Sequence, residues 1–173
     1  LSTLHPLIKI GKQLEEAFIE HNHQKNKEAT LKGKELLKLV QIPNIENVWN
    51  SYPHELSGGM RQRVSIAMAL TNDPELIIAD EPTTALDVTV QAQILSLLDT
   101  LRKERGLSVL FISHDFGVVS QICDRVIVMY GGQIVEEGKT ENIMSKPRHP
   151  YTSQLMECVP HIGFGKRKLP TIL

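Results

Sequence analysis

Cysteine is scarce in this chain of 173 residues: Cys123 and Cys158 are the only two, far apart and without a CxxC pair. That excludes a disulfide scaffold and a cysteine-built zinc site, and it reads as buried or free thiols in a reducing compartment. No apolar run approaches the roughly 20 residues a membrane-spanning helix needs, and no signal-peptide pattern opens the chain. Any membrane role is therefore expected to come through a partner. Basic blocks are lacking too: 19 Lys and Arg balance 20 Asp and Glu. Lys166-Arg167-Lys168 is short and expected to be solvated, so nucleic acid is not expected as a partner. What is present, 41% hydrophobic and 23% charged residues, suits a single globular core and excludes disorder.

The informative stretch runs from Leu56 to Glu81. Ser57 is a good helix N-cap, and Gly58 and Gly59 remove the side chains that would keep an anion from the first free amides of the helix. A helix N-terminus carries roughly half a positive charge, which favours polyphosphate there. Met60, Val64, Ala67 and Met68 follow at helical spacing, and Asn72-Asp73-Pro74 stops the helix. Leu76 to Ala79 is a continuous apolar run, expected to be a central parallel strand covered on both faces. Ligands in open α/β sheets bind beyond the carboxyl ends of strands, where Asp80 and Glu81 fall. Asp80 suits a hard cation such as magnesium, and Glu81 suits orientation or deprotonation of a water.

The first 55 residues read as helical. Ile10, Leu14, Ala17 and Phe18 mark an amphipathic helix to about Glu20, ended by His21, Asn22 and His23. Those two histidines lack a third ligand nearby, so a polar turn is expected rather than a metal site. A helix from about Lys25 to Val40 turns Ala29, Leu36, Leu37 and Val40 inward, and Gly33 weakens it slightly. A short helix then carries Ile45, Val48 and Trp49, with Trp49 as a packing residue.

Beyond the carboxylates, Asp87 is placed to cap a helix bearing Val90, Ile94, Leu97, Leu98 and Leu101, which Gly106 terminates. SVLFI at 108–112 reads as a second buried strand, with His114 just past its end. A short helix, a Gly131-Gly132 hairpin and two further short helices follow, the last beginning at His149-Pro150. From Pro160 onward no period is visible, so an extended tail is expected.

LSGGMRQR, a helix, LIIADEP and TTALD resemble, in order and spacing, the signature motif, Walker B and D-loop of the ATP-binding cassette family. The resemblance implies that Ser57, Gly58, Gly59 and Gln62 contact ATP held by the opposite subunit of a dimer, with Asp87 in the D-loop at that interface. It implies magnesium at Asp80, the hydrolytic water at Glu81, and the γ-phosphate at His114, the histidine of the H-loop. Imidazole suits that position because one ring nitrogen can donate to phosphate while a neighbour fixes the other. GGQIVEEG, HPYTSQL and KRKLPTI are similar to the oligopeptide, dipeptide and nickel importer branch.

The fold this implies is α/β. It is an incomplete P-loop NTPase with a helical signature subdomain over 1–73, the later part of the ATPase core over 74–158 and a tail over 159–173. No GxxxxGK[ST] phosphate loop occurs, so the loop, the earlier strands and the Q-loop glutamine are expected upstream of Leu1. The implied function is ATP-driven uptake of peptides or similar solutes from the cytoplasmic face of a membrane. Implied partners are a second cassette, identical or not, transmembrane permease subunits and, indirectly, a solute-binding protein. An apolar groove within residues 1–55 would receive the permease. The 173 residues alone are expected not to hydrolyse ATP, and their sheet is expected to leave open edges. Two other readings stand beside this one: a non-hydrolysing module that complements another chain's phosphate loop, and a soluble cassette protein with no membrane partner.

Overall fold

Trp49 sets how the first three helices meet. The computed structural model describes residues 4–22 and 26–158, and among them α1 (Ile10–Asn22), α2 (Asn26–Leu39) and α3 (Ile45–Asn50) converge on this one indole. A Cβ on Gly33 of α2 would lie 2.7 Å from the ring, and one on Gly11 of α1 would overlap it sterically. Gly33 is therefore more than a weak point in a helix: its bare backbone lets the ring lie against α2. Lys34 Nζ sits 5.7 Å from the ring centroid.

Around this contact α1 buries Ile10, Leu14 and Phe18, and α2 buries Ala29, Leu36 and Leu37, with Val40 just beyond its end. Each Ile, Leu, Val or Phe side chain among these contributes roughly 1.5–3 kcal/mol when fully removed from water, and the single methyl of Ala29 less. Helix α1 runs two residues past the expected Glu20. His23 and Lys25 fall outside the described residues, so the His21–His23 pair does too, as does the tail from 159 onward.

The chain forms two compact units, Leu1–Leu110 and Phe111–Leu173. In the first, a 3-10 turn (Pro53–Glu55) leads into α4 (Gly58–Ala69), then β1 (Leu76–Asp80) and α5 (Val88–Arg105). Helix α5 buries Ile94, Leu95, Leu97, Leu98 and Leu101, and Gly106 ends it in the left-handed region at φ 66°. Strand β1 pairs with β2 (Ser108–Ile112) in a two-stranded sheet.

The expectation of strands covered on both faces is corrected here. Ile77 and Ala79 are buried, but Leu76 and Ile78 are 50% and 63% exposed. In β2, Leu110 and Ile112 are exposed as well. Period-2 geometry turns alternate residues to opposite faces, and the described residues cover only one of them.

The second unit holds α6 (Phe116–Ile122), β3 (Arg125–Tyr130), β4 (Gln133–Lys139), α7 (Thr140–Ser145) and α8 (Pro150–Cys158). β3 and β4 form an antiparallel hairpin whose turn places Gly131 and Gly132 at φ 57° and 79°. Two consecutive positive φ values are what a tight hairpin turn of matching twist requires. Val119, Val126, Val128 and Ile143 make the core, with Phe116, Tyr151 and Leu155 packed on it. Cys123 is half-buried, and burial, helped by Asp124, pushes its thiol up.

Candidate functional site

The start of α4 is built as its residues suggest. Ser57 has extended backbone, and its hydroxyl accepts from the Met60 amide at 3.3 Å. Ser57 is exposed, and Gly58, Gly59 and Gln62 are half-buried. The two glycines have a second reason to be bare. A Cβ on Gly59 would lie 2.5 Å from Val90 Cγ1, and one on Gly58 would lie 3.2 Å from Leu86 Cδ2. The helix start thus packs directly on the residues that begin α5.

Sequence reasoning gave no role to Arg63, one turn further along. It is buried, and its guanidinium donates to the Val40 carbonyl at 2.9 Å and to the side chains of Gln41 and Gln93 at 3.3 Å each. One cation therefore ties α4 to the end of α2 and to α5, and burial lowers its pKa. The available signal was spacing: Arg63 shares a helical face with Ile66, Ala67 and Leu70, all buried.

At the carboxyl end of β1, Asp80 and Glu81 are both exposed. Glu81 lies at φ 44°, in the left-handed region that non-glycine residues rarely occupy. Pro82 and Thr83 are buried and anchor the turn that follows. Thr84 closes it: its amide donates to the Glu81 carbonyl at 3.2 Å and its hydroxyl to Glu81 Oε2 at 2.9 Å. Ala85 is also left-handed, at φ 63°. Asp87 then caps α5, its Oδ1 accepting from the Val90 amide at 2.9 Å.

The candidate residues of the first unit thus fall into two groups. The α4 start lies against the segment Leu86–Val90, while Asp80 and Glu81 end β1. His114 belongs to the second unit. It is exposed, in the turn between β2 and α6, where Asp115 caps α6 by accepting from the Gly117 amide at 2.8 Å.

Among the described residues no group of three or more His, Cys, Asp or Glu side chains is arranged to hold a metal by itself. An ion at Asp80 would need its other ligands from a bound phosphate and water. Exposed carboxylate oxygen is the right donor for magnesium, which keeps several waters and takes one or two carboxylates plus phosphate.

A cavity of about 600 Å³ in the first unit has an apolar floor of Phe18, Leu36 and Leu70. Lys32, Glu35 and Arg105 are among its charged lining. No candidate site residue lines it. Among the described residues, no helix is long and apolar enough to cross a membrane.

Residues 3–84 match the family model described as ABC transporter, and residues 135–173 match the oligopeptide/dipeptide transporter, C-terminal region. The chain is 49% identical over 177 residues to the glutathione import ATP-binding protein GsiA of Escherichia coli K12, covering 99% of this chain and 28% of that protein. It is also 49% identical to a putative peptide import ATP-binding protein of Brucella melitensis, covering 99% of this chain and 52% of that one. It therefore spans about a quarter to a half of the length of these relatives. A dimeric structure of the ATP-binding cassette MJ0796 in a post-hydrolysis state with ADP and Pi is similar at TM-score 0.69 and 34% identity, over 80% of this chain and 59% of that one. CbiO1 of Clostridium perfringens, part of an ABC transporter complex, is similar at TM-score 0.71 and 27% identity, over 83% and 55%.

Proposed function

Because the chain belongs to the ATP-binding cassette transporter family, we propose that it serves in the ATP-hydrolysing subunit of an importer for oligopeptides, dipeptides or similar small solutes. The observation that carries the reading is the pair of exposed carboxylates, Asp80 and Glu81, at the carboxyl end of β1. The glutathione and peptide importers among its relatives support the substrate class. The dimeric MJ0796 cassette supports a second cassette as partner, and CbiO1, part of an ABC transporter complex, supports assembly into such a complex; in this reading the other partners are permease subunits. Work at the cytoplasmic face of a membrane follows from such an assembly.

In this reading Glu81 accepts a hydrogen bond from the attacking water and draws its proton as the water approaches the γ-phosphate. A carboxylate in that role typically contributes a factor of about 10² to 10⁴. His114 donates to a γ-phosphate oxygen. The amides of the α4 start, with Ser57 and Gln62, face the ATP of the partner cassette, and the helix dipole favours that anion. Asp87 keeps α5 in register behind this start. Asp80 would hold magnesium, which would supply neutralisation of charge on the phosphates. ATP drives transport by binding the closed dimer better than the open one, and hydrolysis removes that preference.

The test is Glu81→Gln in the complete transporter, reconstituted with its permease subunits. ATP turnover is expected to fall at least about a hundredfold, with ATP binding retained. Loss of binding together with turnover would make Glu81 a structural residue and remove the reading's central step.

A further inference from the structure

We propose that Thr84 is the positioning residue for Glu81. The inference rests on the reading of Glu81 as the group that acts on water. An exposed glutamate has three side-chain torsions to fix before its carboxylate can meet a water in one geometry, and orientation is a large part of such catalysis. Thr84 meets both ends of Glu81. Its amide donates to the Glu81 carbonyl at 3.2 Å, and its hydroxyl donates to Oε2 at 2.9 Å.

The backbone shows why two contacts are needed. Glu81 sits at φ 44°, a conformation that persists only where the surroundings over-determine it. The buried Pro82 and Thr83 hold the turn on one side, and Thr84 closes it on the other. The hydroxyl takes up one acceptor position of a carboxylate that has about four. The contact restricts the direction of the group.

Thr84→Val keeps the shape of the side chain and removes the donor, whereas Thr84→Ser keeps the donor. In the complete transporter, Thr84→Val is expected to lower kcat for ATP about tenfold with KM unchanged, and Thr84→Ser to restore most of it. Combined with Glu81→Gln, Thr84→Val should add no further loss, because its effect runs through the carboxylate. Wild-type turnover by Thr84→Val, or a loss additive with that of Glu81→Gln, would overturn the proposal. If Glu81→Gln itself turned over normally, the reading of Glu81 would fall instead, and the two failures are thus distinguishable.

Discussion

Gly59 of α4 and Val90 of α5 approach so closely that a single added methyl group would lie 2.5 Å from Val90 Cγ1. A glycine at a helix start that faces phosphate needs no intramolecular reason to be bare, yet this one has such a reason. The two explanations separate experimentally. Gly59→Ala should destabilise the isolated chain by about 1–2 kcal/mol, since overpacking costs about 1–3 and the better helix propensity of alanine returns up to about 1. Adding Val90→Ala should recover part of that loss, read by urea denaturation of the single and double variants. Equal stability of Gly59→Ala and wild type would leave ligand clearance as the only reason for the glycine.

The indole of Trp49 makes a second such test. Gly11 and Gly33 both face it closely enough that a Cβ on either would overlap the ring or nearly so. An ordinary helix glycine gains about 1 kcal/mol on replacement by alanine. Here the overpacking cost of about 1–3 kcal/mol, less that gain, should leave Gly33→Ala less stable by up to about 2 kcal/mol, with Trp49 emission shifted to the red as the ring moves outward. Because Trp49 is the only tryptophan, the fluorescence change reports this contact alone. A Gly33→Ala variant of raised stability would refute the packing account.

These glycines mark the boundary of what the sequence makes legible. The helices α1 to α5, the hairpin turn, and the caps at Ser57 and Asp87 all follow from local signals: apolar spacing, a capping side chain, a terminal glycine. The candidate residues were legible for the same reason, since LSGGMRQR and LIIADEP are contiguous in the chain. What could not be read are relations between distant positions. Gly59 against Val90, Gly11 and Gly33 against Trp49, and Arg63 between Val40 and Gln93 all depend on how finished elements pack. The coverage of β1 was misread because a run such as LIIA looks the same whether one face or two are buried. The hydroxyl of Thr84 on Glu81 was missed although it is local, because an EPTT turn carries no signal of which side chain folds back.

Glu136 gives the last prediction, and its sign follows from its partners. Burial alone would push this carboxyl up. Against it, the amides of Arg148 and His149 donate to Oε1 at 2.8 Å and to Oε2 at 3.1 Å, and together they hold the group below the usual carboxylate range. The nearby Thr152 hydroxyl also favours the charged form, but it lies outside hydrogen-bond geometry, so the two amides are the main cause. A carboxylate lowered on folding stabilises the protein above its unfolded pKa of about 4.3 and loses that contribution as pH falls through the folded value. The contact fastens the start of α8 to β4. Wild type should therefore exceed Glu136→Gln in stability at neutral pH, and the gap should close below about pH 4. Thermal melts of both proteins between pH 7 and pH 3 measure it. A gap that stays constant across that range would show that the charge on Glu136 does not hold α8 in place.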